Sequence, residues 1–355
     1  MKKLFKNKKV LLSAVLASTL LMSACGGTEN ASNEDSGKKS YNLVVSHFLP
    51  GNHPIETQVF KELETDLNNK AESNFEFEMY PANALGDPGA HYDMVVTGEA
   101  DIGLSVHGYT PGRFPLVSVL ELPFLVEKAK NGATIIANLY SEFPEIQAEH
   151  SETYPLFIFT PESAQLVSTK YKIEKPEDLK GLRVRTPSQT GAKILEALGA
   201  TPVSIPMPEV YEALQRGVVD AAFVPLEALK NFNFYEIVKY VTIGNFSAQP
   251  FFSVMNKDKF ESFSDADKEA LNSLIGTDLS IKAGSLFDVE GQEGLELTKN
   301  KRAEIIELTG DTLKPWEEAL KPVAEEWIKE MEGKGLPGKE IYERAMELKN
   351  EVRNK

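Results

Sequence analysis

One short pattern occurs twice in this chain, and it constrains the fold more than any other feature. Tyr92 to Ile102 (YDMVVTGEADI) and Tyr211 to Ala221 (YEALQRGVVDA) run in step. Each is a helical turn stopped by glycine (Gly98, Gly217), then two residues, an aspartate (Asp101, Asp220) and a strand of small or apolar residues. Glycine is the natural residue just past a helix end. Both copies sit within longer strand–helix–strand series, which predicts two similar α/β lobes with a cleft between them.

The first series opens with a strand at Tyr41–Phe48, a turn-rich loop (LPGNHP) and a helix over Ile55–Lys70, with Val59, Leu63 and Leu67 at helical spacing. FEFEMY (Phe75–Tyr80) alternates as a half-buried strand, and Ala100–Val106 follows the first glycine stop. A helix is predicted over Asn131–Phe143 and a buried strand at Leu156–Phe159. Later strands are expected at Leu166–Ser168, Tyr240–Gly244 and Phe251–Met255. Helices are expected over Asp265–Thr298, Leu313–Met331 and Ile341–Val352, with Trp316 and Trp327 packing this tail onto the lobes.

The second series begins at Gly181 and holds the candidate site. Leu182–Thr186 (LRVRT) is a short strand stopped by Pro187, so Leu182 and Val184 share one face, Arg183 and Arg185 the other. Arg185 stands at the carboxyl end of that strand, before a helix starting near Ser188. Open α/β sheets bind ligands outside the carboxyl ends of their strands. A guanidinium there, beside a helix N-terminus, suits a carboxylate or phosphate. Arg185 is therefore the expected anion anchor, while Arg183 reads as a surface ion-pairing residue.

The first residues do not belong to the fold. Five lysines (Lys2, Lys3, Lys6, Lys8, Lys9) precede an apolar run, Val10–Met22, that is too short for a comfortable membrane span. The run ends LMSACGG, which resembles a bacterial lipobox with Met22 where Leu or Val is usual. Residues 1–24 read as a signal peptide, Cys25 as the lipidated N-terminus and residues 25–40 as a flexible tether. Cys25 is the only cysteine, so disulfides and zinc-binding cysteine pairs are excluded. The net charge of −15 becomes −20 once the five leader lysines are removed, which speaks against nucleic acid as a partner.

No phosphate-binding loop, dinucleotide fingerprint, nucleophile elbow or HExxH helix is present, and no cofactor is implied. All five histidines (His47, His53, His91, His107, His150) fall in the first series. Imidazole can ligate transition metals, so a metal receptor is one alternative. An exported enzyme with His47 or His107 as general base is another. His47, at the carboxyl end of the first strand, is the histidine best placed to touch a ligand.

The residues around Arg185 are similar to the solute receptors of TRAP transporters, the DctP-like family. The resemblance lies in PEDLKGLRVRTP (Pro176–Pro187), ALGATPV (Ala197–Val203) and PEVYEALQRGVVD (Pro208–Asp220), with GEADIG (Gly98–Gly103) and Leu122-Pro123-Phe124 in the first lobe. It implies a two-lobe periplasmic-binding-protein-like fold (type II) that closes by a hinge, with long C-terminal helices across both lobes. Lobe 1 would cover 41–160, lobe 2 161–250, and the returning strand and helices 251–355. It also implies an extracytoplasmic receptor that hands an organic acid to small and large membrane subunits, with Arg185 on the ligand carboxylate. Many members carry a second Arg where this chain has Gln165, and Asn where it has Val224. Both departures favour a monocarboxylate with an apolar or aromatic body over a dicarboxylate or sialic acid. The expected ligand set is Arg185 as anchor, Gln165 and His47 as polar contacts, and Tyr109, Phe223, Val224 and Tyr211 as walls.

Overall fold

Strands from the two series collect into two separate sheets. The computed structural model describes residues 38–353; Cys25, the leader and most of the tether lie outside them. The strands are β1 (Ser40–His47), β2 (Asn74–Tyr80), β3 (Ile102–Val106), β4 (Thr153–Phe159), β5 (Ala164–Ser168), β6 (Arg183–Thr186), β7 (Thr201–Ser204), β8 (Ala221–Val224), β9 (Tyr240–Ser247), β10 (Phe251–Asn256) and β11 (Glu304–Glu307). The first sheet has the order β2-β1-β3-β10-β4 and the second β11-β9-β5-β8-β6-β7. β1 pairs in parallel with β2 and β3, and β6 in parallel with β7 and β8, so each sheet has a parallel half. This is the two-lobe α/β fold.

Two antiparallel crossings carry the chain between the sheets. β4 leads through residues 160–163 into β5, and β9 returns through residues 248–250 into β10. β10 pairs with β4 in one sheet and β9 with β5 in the other, so the two crossings run side by side.

The repeated pattern has the same physics in both lobes. Gly98 and Gly217 take φ of +78° and +69°, the left-handed region that glycine enters without cost. Asp101 Oδ2 accepts from the Val44 N–H at 2.9 Å, and Asp220 Oδ2 from the Arg183 N–H at 2.9 Å. In each lobe the aspartate ties the turn to the neighbouring parallel strand.

The charged tail differs from expectation in one respect. A single helix over Asp265–Thr298 is replaced by two, Asp265–Asn272 and Thr277–Asn300. Gly276, at φ +89°, breaks them, and its N–H donates to the Leu156 carbonyl at 2.8 Å, which docks the break on β4. The second helix lies against both lobes. A Cβ on Gly284 would come within 2.9 Å of the Ala129 carbonyl oxygen, and one on Gly294 within 2.5 Å of that of Leu226. Asp288 on the same helix accepts from the backbone N–H groups of Ala129 and Lys130, capping the helix Ala129–Glu142. Trp316 and Trp327 are both buried, and the Trp327 indole donates to Ser118 Oγ at 2.8 Å.

Candidate ligand site

Arg185 is the centre of the candidate site. It lies near the end of β6 and is 1% exposed, whereas Arg183, two residues earlier on the same strand face, reaches the open edge. There Arg183 Nε and Nη2 grip the Asp220 carboxylate at 3.1 Å each. Arg185 meets no acid among the described residues. Its Nε donates to the Ile205 carbonyl at 2.7 Å, Nη1 to the Phe223 carbonyl at 2.9 Å and Nη2 to the Tyr109 hydroxyl at 3.3 Å. A guanidinium carries five N–H donors in a flat fork, so one remains on each terminal nitrogen. Burial lowers the Arg185 pKa from its usual value, but an arginine remains charged across the working range of pH.

Tyr109 comes from the first lobe and completes this end of the site. Its hydroxyl also accepts from the Met207 N–H at 2.9 Å, at the start of the helix Met207–Gln215. The helix N-terminus expected to assist Arg185, that after Ser188, is instead satisfied by its own cap. Ser188 Oγ accepts from the Gly191 N–H at 3.0 Å and donates to Glu121 Oε2.

Arg185 and Tyr109 line a narrow cavity of about 20 Å³ between the lobes. Its walls are mostly apolar: Phe48, Leu49, Val106, Met207, Phe232 and Phe251, with several prolines. Two other polar side chains reach it, Glu227 and Gln249. Glu227 is 2% exposed, with His53 Nε2 3.4 Å from its Oε2.

The remaining expected site residues lie elsewhere. Gln165 does not line this cavity: its Oε1 accepts from the Gly244 and Asn245 N–H groups at 2.8 and 2.9 Å, at the irregularity where β5 pairs with β9. Its amide donates to Asn245 Oδ1 and to the Ser163 carbonyl. His47 is fully buried behind β1, 3.1 Å from Glu56 Oε2 and stacked on Phe60. Phe223 contributes its carbonyl to Arg185, while its ring stacks on Phe246 in the core of the second lobe. Val224 is fully buried in the core. The Tyr211 hydroxyl donates to Glu236 on the protein surface. Phe48, Phe232, Phe251, Gln249 and Glu227 were not singled out by sequence reasoning. Only Phe48 and Leu49 carried a signal, following the carboxyl end of the first strand.

The histidines bear on the two alternative readings. All five are buried. His107 Nδ1 faces the Pro250 carbonyl at 2.9 Å and its Nε2 faces His150 Nε2 at 3.0 Å. Neither His47 nor His107 lines the cavity, so neither stands as a base against its contents. Among the described residues no group of three or more His, Cys, Asp or Glu side chains is placed to hold a metal ion.

Comparison with known proteins gives a consistent result. The model for bacterial extracellular solute-binding protein, family 7, matches residues 45–330. A solute-binding protein of Albidiferax ferrireducens is 24% identical, over 79% of this chain and 85% of its own. Among solved structures, a marine-metagenome TRAP solute binding protein specific for aromatic acid ligands, in complex with metahydroxyphenylacetate, is 30% identical. It superposes with a TM-score of 0.83 over 87% of this chain and 98% of its own. A TRAP solute binding protein from Rhodoferax ferrireducens, in complex with copurified benzoate, has a TM-score of 0.84 at 23% identity, over 88% and 99% of the two chains.

Proposed function

This chain belongs to bacterial extracellular solute-binding protein family 7, the solute receptors of TRAP transporters, and we propose that it captures a monocarboxylic acid with an aromatic body. One observation carries the reading. Arg185 is a buried guanidinium with two N–H groups free and no acid side chain bonded to it among the described residues. A buried charge is tolerated when an opposite charge completes it. A ligand carboxylate supplies that charge through two parallel N–H···O bonds. The apolar, phenylalanine-rich walls accept the rest of the molecule and offer no second cation to a second carboxylate. The structural neighbour's metahydroxyphenylacetate has this chemistry, one carboxylate on a short arm of an aromatic ring.

The receptor would work outside the cytoplasm, tethered through a lipid on Cys25, and deliver its ligand to the membrane subunits. The mass of the mature N-terminal peptide reads the tether: a diacylglycerol adduct on Cys25 supports it, and an unmodified cleaved end removes it. For the ligand, a thermal-shift screen of aromatic monocarboxylates is run on wild type and Arg185→Ala. A hit should stabilise wild type and lose on the order of 2–5 kcal/mol of binding in the variant. Equal stabilisation of both proteins would overturn Arg185 as anchor.

A further inference from the structure

We propose that the ligand carries a hydrogen-bond donor, a hydroxyl or an amino group, at the end remote from its carboxylate, and that the Glu227 carboxyl receives it. This rests on the carboxylate reading of Arg185. Glu227 opens the short helix Glu227–Asn231 and reaches the same cavity as Arg185. Its position is fixed on three sides. Asn231 Nδ2 donates to Oε2 at 2.8 Å, His53 from the other lobe lies 3.4 Å from the same oxygen, and the Glu227 N–H donates to Glu162 Oε1 at 2.9 Å.

All the contacts to the carboxyl fall on Oε2. Among the described residues Oε1 takes no protein donor. A side chain held through Oε2 in this way cannot turn freely, and Oε1 is the oxygen left to accept a donor. Burial, and after it the charge of Glu227, push the neighbouring Glu162 well above the usual carboxylate range. Glu162 Oε1 accepts from the Glu227 backbone, and Glu227 is the carboxyl that lines the cavity. Gln249 is the other polar lining group, and its amide nitrogen is engaged by Ser247 Oγ at 3.2 Å.

The cavity thus has two unlike polar groups, a cation that takes a carboxylate and an acid that takes a donor. Rings from Phe48, Phe232 and Phe251 lie along it. A ligand that sets an acceptor against Glu227, such as an ether, would face it with no hydrogen between them. Sites built to hydrogen-bond one substituent reject analogues that lack it, because the buried group is left unpaired.

The test is calorimetric titration of the mature protein with benzoate, the 3- and 4-hydroxybenzoates, 3-aminobenzoate and 3-methoxybenzoate, in wild type and Glu227→Gln. At least one hydroxy or amino acid should bind roughly tenfold or more tightly than benzoate and the methoxy compound. That preference should shrink severalfold in Glu227→Gln. Which donor wins separates the phenol from the amine. Benzoate or 3-methoxybenzoate binding as tightly as every donor-bearing acid in wild type overturns the role of Glu227 and leaves the carboxylate reading standing. So does a preference that survives intact in the variant. No binding by any of these acids overturns the aromatic monocarboxylate reading and this inference with it.

Discussion

At the scale of single residues, Tyr109 joins the two halves of the site, because one hydroxyl serves two buried donors from the opposite lobe. Tyr109→Phe removes that hydroxyl and leaves the Met207 N–H and one Arg185 N–H without an acceptor. Each orphaned buried donor costs about 1–3 kcal/mol. The variant should therefore unfold at lower urea, and its affinity for any carboxylate that stabilises the wild type should fall with the mispositioned guanidinium. Unchanged midpoint and unchanged affinity together would show that the hydroxyl holds nothing. The place of Arg185 near the end of a strand was legible in the sequence because strand alternation and a strand end are local properties. Glu227 was not, because its helix and His53, far apart in sequence, must meet before its carboxyl has a direction. Gln165 misled for a related reason. A polar residue on a central strand suggests a pocket wall, yet here it satisfies the N–H groups of Gly244 and Asn245 where the pairing with β9 shifts.

At the scale of elements, periodicity predicted what local sequence can encode. FEFEMY alternates because one face of β2 is buried, and the structure buries Phe75 and Phe77 while exposing Glu76 and Glu78. The repeated glycine–aspartate turn was visible as a pattern, and its cause, an aspartate bound to the adjacent strand's N–H, became visible only in three dimensions. Glu304–Glu307 (EIIE) was missed. It is a four-residue edge strand, and pairing with β9 rather than its own composition makes it extended. The spanning helix supplies the prediction at this scale. Glycine inside a helix ordinarily costs about 1 kcal/mol relative to alanine. Gly294 is retained because a Cβ would press on the Leu226 carbonyl at 2.5 Å. Gly294→Ala should therefore destabilise by about 1–3 kcal/mol, the cost of overpacking. Gly333, where a Cβ would meet nothing within 4 Å, should tolerate alanine or gain stability from it. Denaturation midpoints of the two variants moving in the same direction would refute the close-approach explanation.

At the scale of the whole molecule, the lobes are held together by buried polar groups as well as by the ligand cavity, and one of these groups titrates near neutrality. Glu121, from the first lobe, is 2% exposed and accepts from Ser188 of the second. Burial pushes its carboxyl from an ordinary value of 4.5 up to about 7, against the hydrogen bonds of Ser188 and Gln249, which hold it down. A carboxyl raised on folding contributes stability that is fully present below its unfolded pKa and lost as pH rises through its folded one. For Glu121 that window runs from 4.5 to about 7, and the loss is on the order of 3 kcal/mol. The buried His91 and His150, both lowered to about 4, act oppositely, since folding keeps them neutral and stability rises with pH up to about 6.5. The total pH profile sums opposing terms of this kind and does not expose Glu121 by itself. The difference between wild type and Glu121→Gln does, because the histidine terms cancel and the Gln side chain does not titrate. Wild type should lose ground to the variant by about 1.4 kcal/mol per pH unit across that window, and by nothing further well above pH 7. Urea unfolding of both proteins at intervals from pH 4.5 to 8 measures it. A stability difference that stays constant over that range would mean that the Glu121 carboxyl titrates alike in the folded and unfolded chains.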